Sequence, residues 1–276
     1  MKIWLVTGVS SGFGRAFLEE VTRRGDFIVG TLRKQEQIDA FSREFAGKAS
    51  FVVMDLNKPE QIQAGVAKAL KDHGRIDVLV NNAAYGLLGA VEEASDTEAR
   101  HQMETNYFGQ LAVMRAVLPS MRAQGSGYLV QISSVAGLLS SPGLGHYNAS
   151  KFALEGISEA LAREVNPLGI KVMIVEPGPF RTLWAGPSSK KVARKIPDYG
   201  STAHTRVHDI QDSSGHQPGD PIKGVRLILK AMESANSPLR LPLGASAIER
   251  IEAKMQRFSQ ELAAWKKESL ETAFTP

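Results

Sequence analysis

Short apolar runs alternate along most of the chain with longer segments in which apolar residues recur every three or four positions. The runs cover residues 3–6, 27–32, 51–54, 76–80, 128–132 and 170–175. They are continuous rather than alternating and rich in β-branched residues, the pattern of strands covered on both faces. Between them, Phe17, Leu18 and Val21 mark a helix, and Ile62, Val66 and Leu70 mark another over 59–73. Met103, Tyr107, Leu111, Met114 and Leu118 run through a long helix over 97–124, and a further helix carries Tyr147 and ends near Val165. Strands and helices in alternation, joined by short loops, predict parallel βαβ units. The expected fold is α/β: a Rossmann-type, doubly wound parallel sheet in three α/β/α layers, a single domain over 1–276.

Beyond Thr182 the regularity fails. Residues 184–220 hold Pro187, Ser188, Ser189, Pro197, Gly200, Gly215 and Pro218, and a loop of this length inside a compact domain reads as a lid over a site. Regular pattern resumes with a helix over 221–233, a short strand over 239–243 and a charged helix from about 245 to 267.

Composition changes this picture little. The 276 residues, 43% hydrophobic and 22% charged, suffice for one full core. A net charge of +4 is mildly basic, and Lys and Arg are spread along amphipathic segments, so nucleic acid is not an expected partner. The one basic cluster, Lys190, Lys191, Arg194 and Lys195, reads as a solvated loop. There are no cysteines, which excludes disulfides, thiolate catalysis and Cys-ligated metal. His204, His208 and His216 lie close together, but no carboxylate has a convincing spacing to them, and no metal site is expected. The apolar start of the chain is far shorter than a signal peptide, and no run approaches the ~18 apolar residues of a membrane span. A soluble, cytoplasmic protein is the expectation.

Candidate chemistry lies at the strand ends. After the first strand comes Thr7-Gly8-Val9-Ser10-Ser11-Gly12-Phe13-Gly14, then a helix. Strand, glycine turn and helix form a context for phosphate binding: glycines let the backbone approach a pyrophosphate, and the helix N-terminus faces the anion. The second strand closes on Arg33 with no acid at Gly30, Thr31 or Leu32. An arginine there either pairs with a ribose 2′-phosphate, which selects NADP(H) over NAD(H), or is a solvated strand-end side chain. Asp55-Leu56 and Asn81-Asn82-Ala83-Ala84 follow the third and fourth strands. Asn106 sits inside a helical pattern where asparagine is a poor helix former; it implies a bulge or a functional role. Tyr147 and Lys151 are four apart and share a helix face. A neighbouring ammonium favours the phenolate and is expected to bring the phenol pKa down toward neutrality. Ser134, at the end of the fifth strand, is placed to hydrogen-bond the substrate oxygen that the phenol protonates.

Together these residues resemble the short-chain dehydrogenase/reductase family over nearly the whole chain. The family's T-G-x-x-x-G-x-G is matched by Thr7 to Gly14, its acidic adenine contact by Asp55, and its N-N-A-G by Asn81 to Ala84, with Ala84 in place of glycine. Its asparagine, serine, tyrosine and lysine are matched by Asn106, Ser134, Tyr147 and Lys151, and its P-G-x-x-x-T by Pro177-Gly178-Pro179-Phe180-Arg181-Thr182. Lys151 to Gly156 and the extended C-terminal helix are similar to the branch that holds 17β-hydroxysteroid dehydrogenase type 1 and retinol dehydrogenases. The resemblance implies a carbonyl/secondary-alcohol oxidoreductase with NADP(H) preferred and NAD(H) possible. Gly8, Ser10 to Gly14, Arg33, Asp55, Leu56, Asn82, Ala83, Ala84, Tyr147, Lys151, Pro177, Gly178, Phe180 and Thr182 would hold the cofactor, with Ser11 and Arg33 at the 2′-phosphate. Leu138, Leu139, Leu144, Phe180 and Trp184 would wall an apolar ketone or alcohol. Relatives pair through the helices around Asn106 and Tyr147, which implies a homodimer or homotetramer. A non-catalytic NADP-binding sensor or scaffold would be expected to show a damaged catalytic set; here both parts of the pattern are intact.

Overall fold

The computed structural model describes residues 1–274, so the last two positions of the expected 1–276 domain lie outside the described residues. The strands are β1 (Ile3–Val6), β2 (Phe27–Leu32), β3 (Ala49–Val53), β4 (Val78–Asn81), β5 (Gly86–Leu88), β6 (Gly127–Ile132), β7 (Ile170–Pro177), β8 (Ser189–Lys191) and β9 (Arg240–Leu243). The helices are α1 (Gly12–Arg23), α2 (Gln35–Glu44), α3 (Pro59–His73), α4 (Asp96–Met103), α5 (Gly109–Gln124), α6 (Gly145–Val165), α7 (Thr205–Asp212), α8 (Pro221–Glu233) and α9 (Ala245–Leu270).

Seven strands form one parallel sheet in the order β3-β2-β1-β4-β6-β7-β9. Successive side chains of a strand point to opposite faces, and the core divides accordingly. Trp4, Val6, Val78, Val80, Val130 and Met173 pack with α1, α2 and α8. Ile3, Leu5, Leu79, Leu129 and Val172 pack on the other face with α3, α5 and α6. Apolar cover on both sides is why these strands read as unbroken hydrophobic runs.

The expected long helix over 97–124 is interrupted. Its middle, Glu104–Phe108, is a π-helical turn between α4 and α5, with Asn106 fully buried inside it. The 184–220 segment is also more regular than a loop. It contains β8, a π turn (Gly200–His204) and α7, and β8 pairs in parallel with β5. Lys190 and Lys191 therefore belong to a strand and not to an irregular solvated loop, although both remain exposed. Among the described residues no helix is long and apolar enough to cross a membrane.

Candidate active site

The strand order reverses between β1 and β4, and in open α/β sheets the crevice at such a reversal is where ligands bind. The Thr7–Gly14 turn lies there, fixed from both sides. Thr7 Oγ1 accepts from the backbone N–H of Asn82 (2.9 Å) and Ala83 (3.0 Å). Asn82 Nδ2 donates to the carbonyls of Thr7 (2.8 Å) and Gly8 (3.0 Å), and Gly8 N donates to Thr31 Oγ1 (3.0 Å). Gly8 and Gly12 adopt φ of 72° and 55°, a region that disfavours side chains. A Cβ on Gly14 would stand 2.1 Å from the Gly8 carbonyl oxygen, so only glycine permits this closeness of helix and turn. Ser11 caps α1 without a side-chain capping bond, and the first turn of α1 has no acidic residue. The N–H groups and positive end of α1 thus remain available to an anion, and the residues fit the pyrophosphate of a dinucleotide. Ser10 is exposed beside this turn, and Phe13 is buried.

Arg33 stands exposed at the end of β2. Burial disfavours the charge on Asp55, but hydrogen bonds from Asn57 N and Nδ2 (3.0 Å each), with the nearby Arg33 and Lys58 cations, hold its carboxyl below the ordinary value. A fixed carboxylate and an exposed guanidinium thus border one corner of the crevice. Leu56 is buried, its carbonyl pressed against Gly109. Ala84 is half-buried next to Ala83, whose carbonyl accepts from Gln110 Nε2 (2.9 Å).

Asn106 ties three segments together. Its Oδ1 accepts from Tyr85 N (3.1 Å), while Nδ2 donates to the Tyr85 carbonyl (2.9 Å) and to Ser150 Oγ (3.1 Å). Ser150 lies on α6 between Tyr147 and Lys151, so the π turn braces the helix that carries both.

Tyr147 is 5% exposed and clusters with Leu88, Ala136, Leu144, Ala185 and Ile210, with Trp184 and Val207 against them. The Trp184 ring lies 4.9 Å from the Tyr147 ring. Ser134 Oγ accepts from Ala136 N (3.1 Å) and lies 3.5 Å from the Pro177 carbonyl oxygen. Burial pushes the Tyr147 phenol up to about 12, with hydrogen bonding to Ser134 acting in the opposite direction. The expected lowering by Lys151 is therefore not what the structure gives. Lys151 Nζ sits 5.9 Å from the centre of the Tyr147 ring and donates to the Ile132 carbonyl (2.8 Å). Burial brings Lys151 itself down to about 8, partly opposed by the Glu155 carboxylate. At neutral pH the phenol is the protonated form, suited to give a proton.

Behind Lys151 lies a group that sequence reasoning missed. Glu155 follows Lys151 by one helical turn, and Arg240 Nη1 binds both Glu155 Oε2 and Glu176 Oε1, the latter at 2.9 Å. Arg240 Nη2 reaches Glu159 Oε2 at 2.9 Å. Burial, then repulsion from Glu155, raises Glu176 to about 7, and burial raises Glu155 as well. Arg240 lies 85 and 64 residues from these carboxylates; only the parallel pairing of β7 with β9 brings them together.

The residues expected on the substrate side fall into two groups. Leu144 and Trp184 join the Tyr147 cluster. Phe180 does not: it packs on Phe13 (ring centres 5.0 Å apart) and against Gly219 and Gly224, on the α1/α8 side. Leu139 packs with Val135 and Ala247 under α9, and the Leu138 carbonyl accepts from Lys254 Nζ. Both leucines lie outside the cluster because the turn Val135–Gly137 redirects the chain toward α9. Leu88, Ala185 and Ile210 were not foreseen, since β5 and α7 are too short to show a period. The Pro177–Thr182 stretch is tied to β9 at one end, where Gly178 N donates to Leu243 O (2.9 Å), and reaches the glycine turn at the other, where a Cβ on Gly12 would meet the Thr182 side chain at 3.2 Å. His204 also differs from expectation: its Nε2 bonds the buried Glu93 Oε1 at 2.6 Å, a partner too distant in sequence for spacing to reveal. Among the described residues no group of three or more metal-ligating side chains occurs.

The model of the short chain dehydrogenase family matches residues 2–213. A 3-ketodihydrosphingosine reductase of Bacteroides thetaiotaomicron is 42% identical, with 88% of each chain covered. Oxidoreductase BOA17 of Botryotinia fuckeliana is 36% identical, with 99% of each covered. Among solved structures, a short-chain dehydrogenase from Streptomyces avermitilis superposes with a TM-score of 0.93 at 41% identity over 99% of both chains. One from Burkholderia cenocepacia, solved with NADP, has a TM-score of 0.70 at 25% identity over 100% of both. With its glycine turn, its Tyr147–Lys151 helix and these relatives, the chain belongs to the short-chain dehydrogenase family of oxidoreductases.

Proposed function

We propose that the protein reduces a ketone on an apolar substrate to a secondary alcohol with NADPH, and that Tyr147 is the general acid. The observation that carries this reading is a buried phenol beside Ser134, with the Pro177–Thr182 stretch running from that site to an anion-ready glycine turn. The glycine turn, with Arg33 and Ser11 at the 2′-phosphate and Asp55 near the adenine, would hold NADPH, which would supply the hydride for the carbonyl carbon. Ser134 Oγ accepts from Ala136 N, and its O–H makes only a long 3.5 Å contact to the Pro177 carbonyl, which it would exchange for the substrate carbonyl and so polarise it. Tyr147 gives its proton to the same oxygen as negative charge develops there. Lys151, anchored on the Ile132 carbonyl, stabilises the phenolate that remains until solvent reprotonates it. Asn106 acts at one remove by holding α6. Trp184, Leu88, Leu144 and Ile210 exclude water and present an apolar wall, which fits a ketone on a hydrocarbon chain, the class named for the Bacteroides relative. A cytoplasmic location and a dimeric or tetrameric assembly through the α4–α5 and α6 helices belong to the same reading.

A panel of ketones and secondary alcohols of increasing chain length, followed by NADPH absorbance with NADH in parallel, tests this function. Turnover of apolar ketones that improves with chain length and favours NADPH is expected. Turnover confined to charged or sugar carbonyls, or NADH used better than NADPH, would refute it.

A further inference from the structure

The last element of the fold is only half used by the protomer. The first turns of α9 are anchored: Ala247 is fully buried beside Val135 and Leu139, Ile251 packs on them, and Lys254 Nζ donates to the Leu138 carbonyl. From Met255 to the end of the helix every residue is exposed. This overhang is not polar. Met255, Phe258, Leu262 and Trp265 are 51%, 59%, 57% and 67% exposed, and Ile248 before them is 46% exposed. Ile248, Ile251, Met255, Phe258, Leu262 and Trp265 follow one another at intervals of three and four without a break. Such a seven-residue repeat forms the narrow seam along which two helices interlock. A solvated helix has no use for it, and an apolar stripe of this extent marks an interaction face.

The charges beside the seam indicate what covers it. Glu252 and Lys266 lie along one edge, Lys254, Glu261 and Glu268 along the other. In an antiparallel pair of identical helices, each edge faces the same edge of its partner. With the twofold near residue 260, Met255 would meet Trp265 of the second copy and Phe258 would meet its Leu262. Glu252 then faces Lys266 of the second copy, and Lys254, whose Nζ is held by the Leu138 carbonyl of its own protomer, lies level with its Glu268. Symmetry repeats both contacts, and only Glu261 opposes itself. A parallel pair would stack the two Trp265 rings and leave Glu261 with Lys266 as its one favourable flanking contact. The helix as a whole carries four Glu against five Lys and Arg, in mixed order, so its polar face lacks the cationic surplus of a helix that lies on an anionic bilayer.

We propose that α9 is a self-association element, its overhang pairing antiparallel with α9 of a second copy about a twofold axis. This contact is separate from the faces of α4, α5 and α6.

Light scattering coupled to gel filtration of the full chain at micromolar concentration tests the proposal. Leu262 makes no contact with the core, so Leu262→Asp should keep the circular dichroism spectrum and halve the particle mass. Lys266→Glu and Glu252→Lys should each weaken association about tenfold at low salt, and the double variant, which exchanges the charges, should restore it. An unchanged mass for Leu262→Asp, a monomeric wild-type chain, or failure of the double variant to restore association would each overturn the proposal. Binding of the wild-type chain, and not Leu262→Asp, to phosphatidylglycerol vesicles while its mass in solution stays monomeric would assign the seam to a lipid surface and overturn it as well.

Discussion

Tyr147 and Lys151 share a helix face, but proximity alone does not fix their protonation states. Both are buried, and burial penalises the charged form of each, raising the phenol to about 12 and lowering the ammonium to about 8. Sequence spacing showed the pair but not their shared dry environment, so the expected direction of the phenol shift was reversed. At Arg33 the charge and exposure leave the cofactor reading to a direct test: Arg33→Asp should invert the ratio of kcat/KM for NADPH over NADH, and an unchanged ratio would remove Arg33 from the 2′-phosphate. The buried Glu176 carries a stability consequence. Its carboxyl is raised from 4.5 to about 7 in the folded chain, so the folded state retains a proton that the unfolded state has lost. Its contribution to stability is full below pH 4.5 and is lost as pH rises through about 7. Glu176→Gln should flatten the fall in Tm between pH 5 and 7.5 relative to the wild-type chain; parallel Tm profiles would show that Glu176 is ionised throughout.

Among the elements, the π turn at Glu104–Phe108 is where helix propensity and tertiary need part company. Asparagine inside a helical pattern marked the place, but the form of the irregularity depends on Tyr85 and Ser150, which contact Asn106 from distant parts of the chain. Asn106→Ala removes the acceptor of the half-buried Tyr85 N–H and a donor to the buried Ser150 Oγ, polar groups whose isolation costs ~1–3 kcal/mol, while the Tyr85 C=O keeps Gln102 Nε2 at 3.0 Å. A drop in Tm of several degrees with a lowered kcat is expected, and a wild-type Tm would mean that those groups find other partners. The glycine turn is the opposite case. Its spacing in sequence carried its geometry, because the contact between Gly14 and the Gly8 carbonyl is local. Gly14→Ala should abolish tight NADPH binding, and fluorescence titration of the bound nicotinamide reads this directly.

At the scale of the whole molecule, the sheet was legible because its strands are apolar on both faces, and β1, β2, α3 and α8 fall where the pattern put them. What stayed hidden depends on contacts between distant segments: β5 with β8, Glu93 with His204, Arg240 with three carboxylates, and Phe180 turned toward Phe13. The 184–220 segment folds its short elements over Tyr147, and its Trp184 covers the phenol ring. On the proposed function, substrate would pass residues that sequence alone gave only as a lid. The central claim is that a buried, protonated phenol completes reduction of the carbonyl. Stopped-flow measurement of NADPH oxidation by Tyr147→Phe, with the Kd for NADPH measured on the same protein, tests it most directly. The account predicts a rate lower by about 10²–10⁴-fold with NADPH binding unchanged; a rate near that of the wild-type enzyme would contradict it.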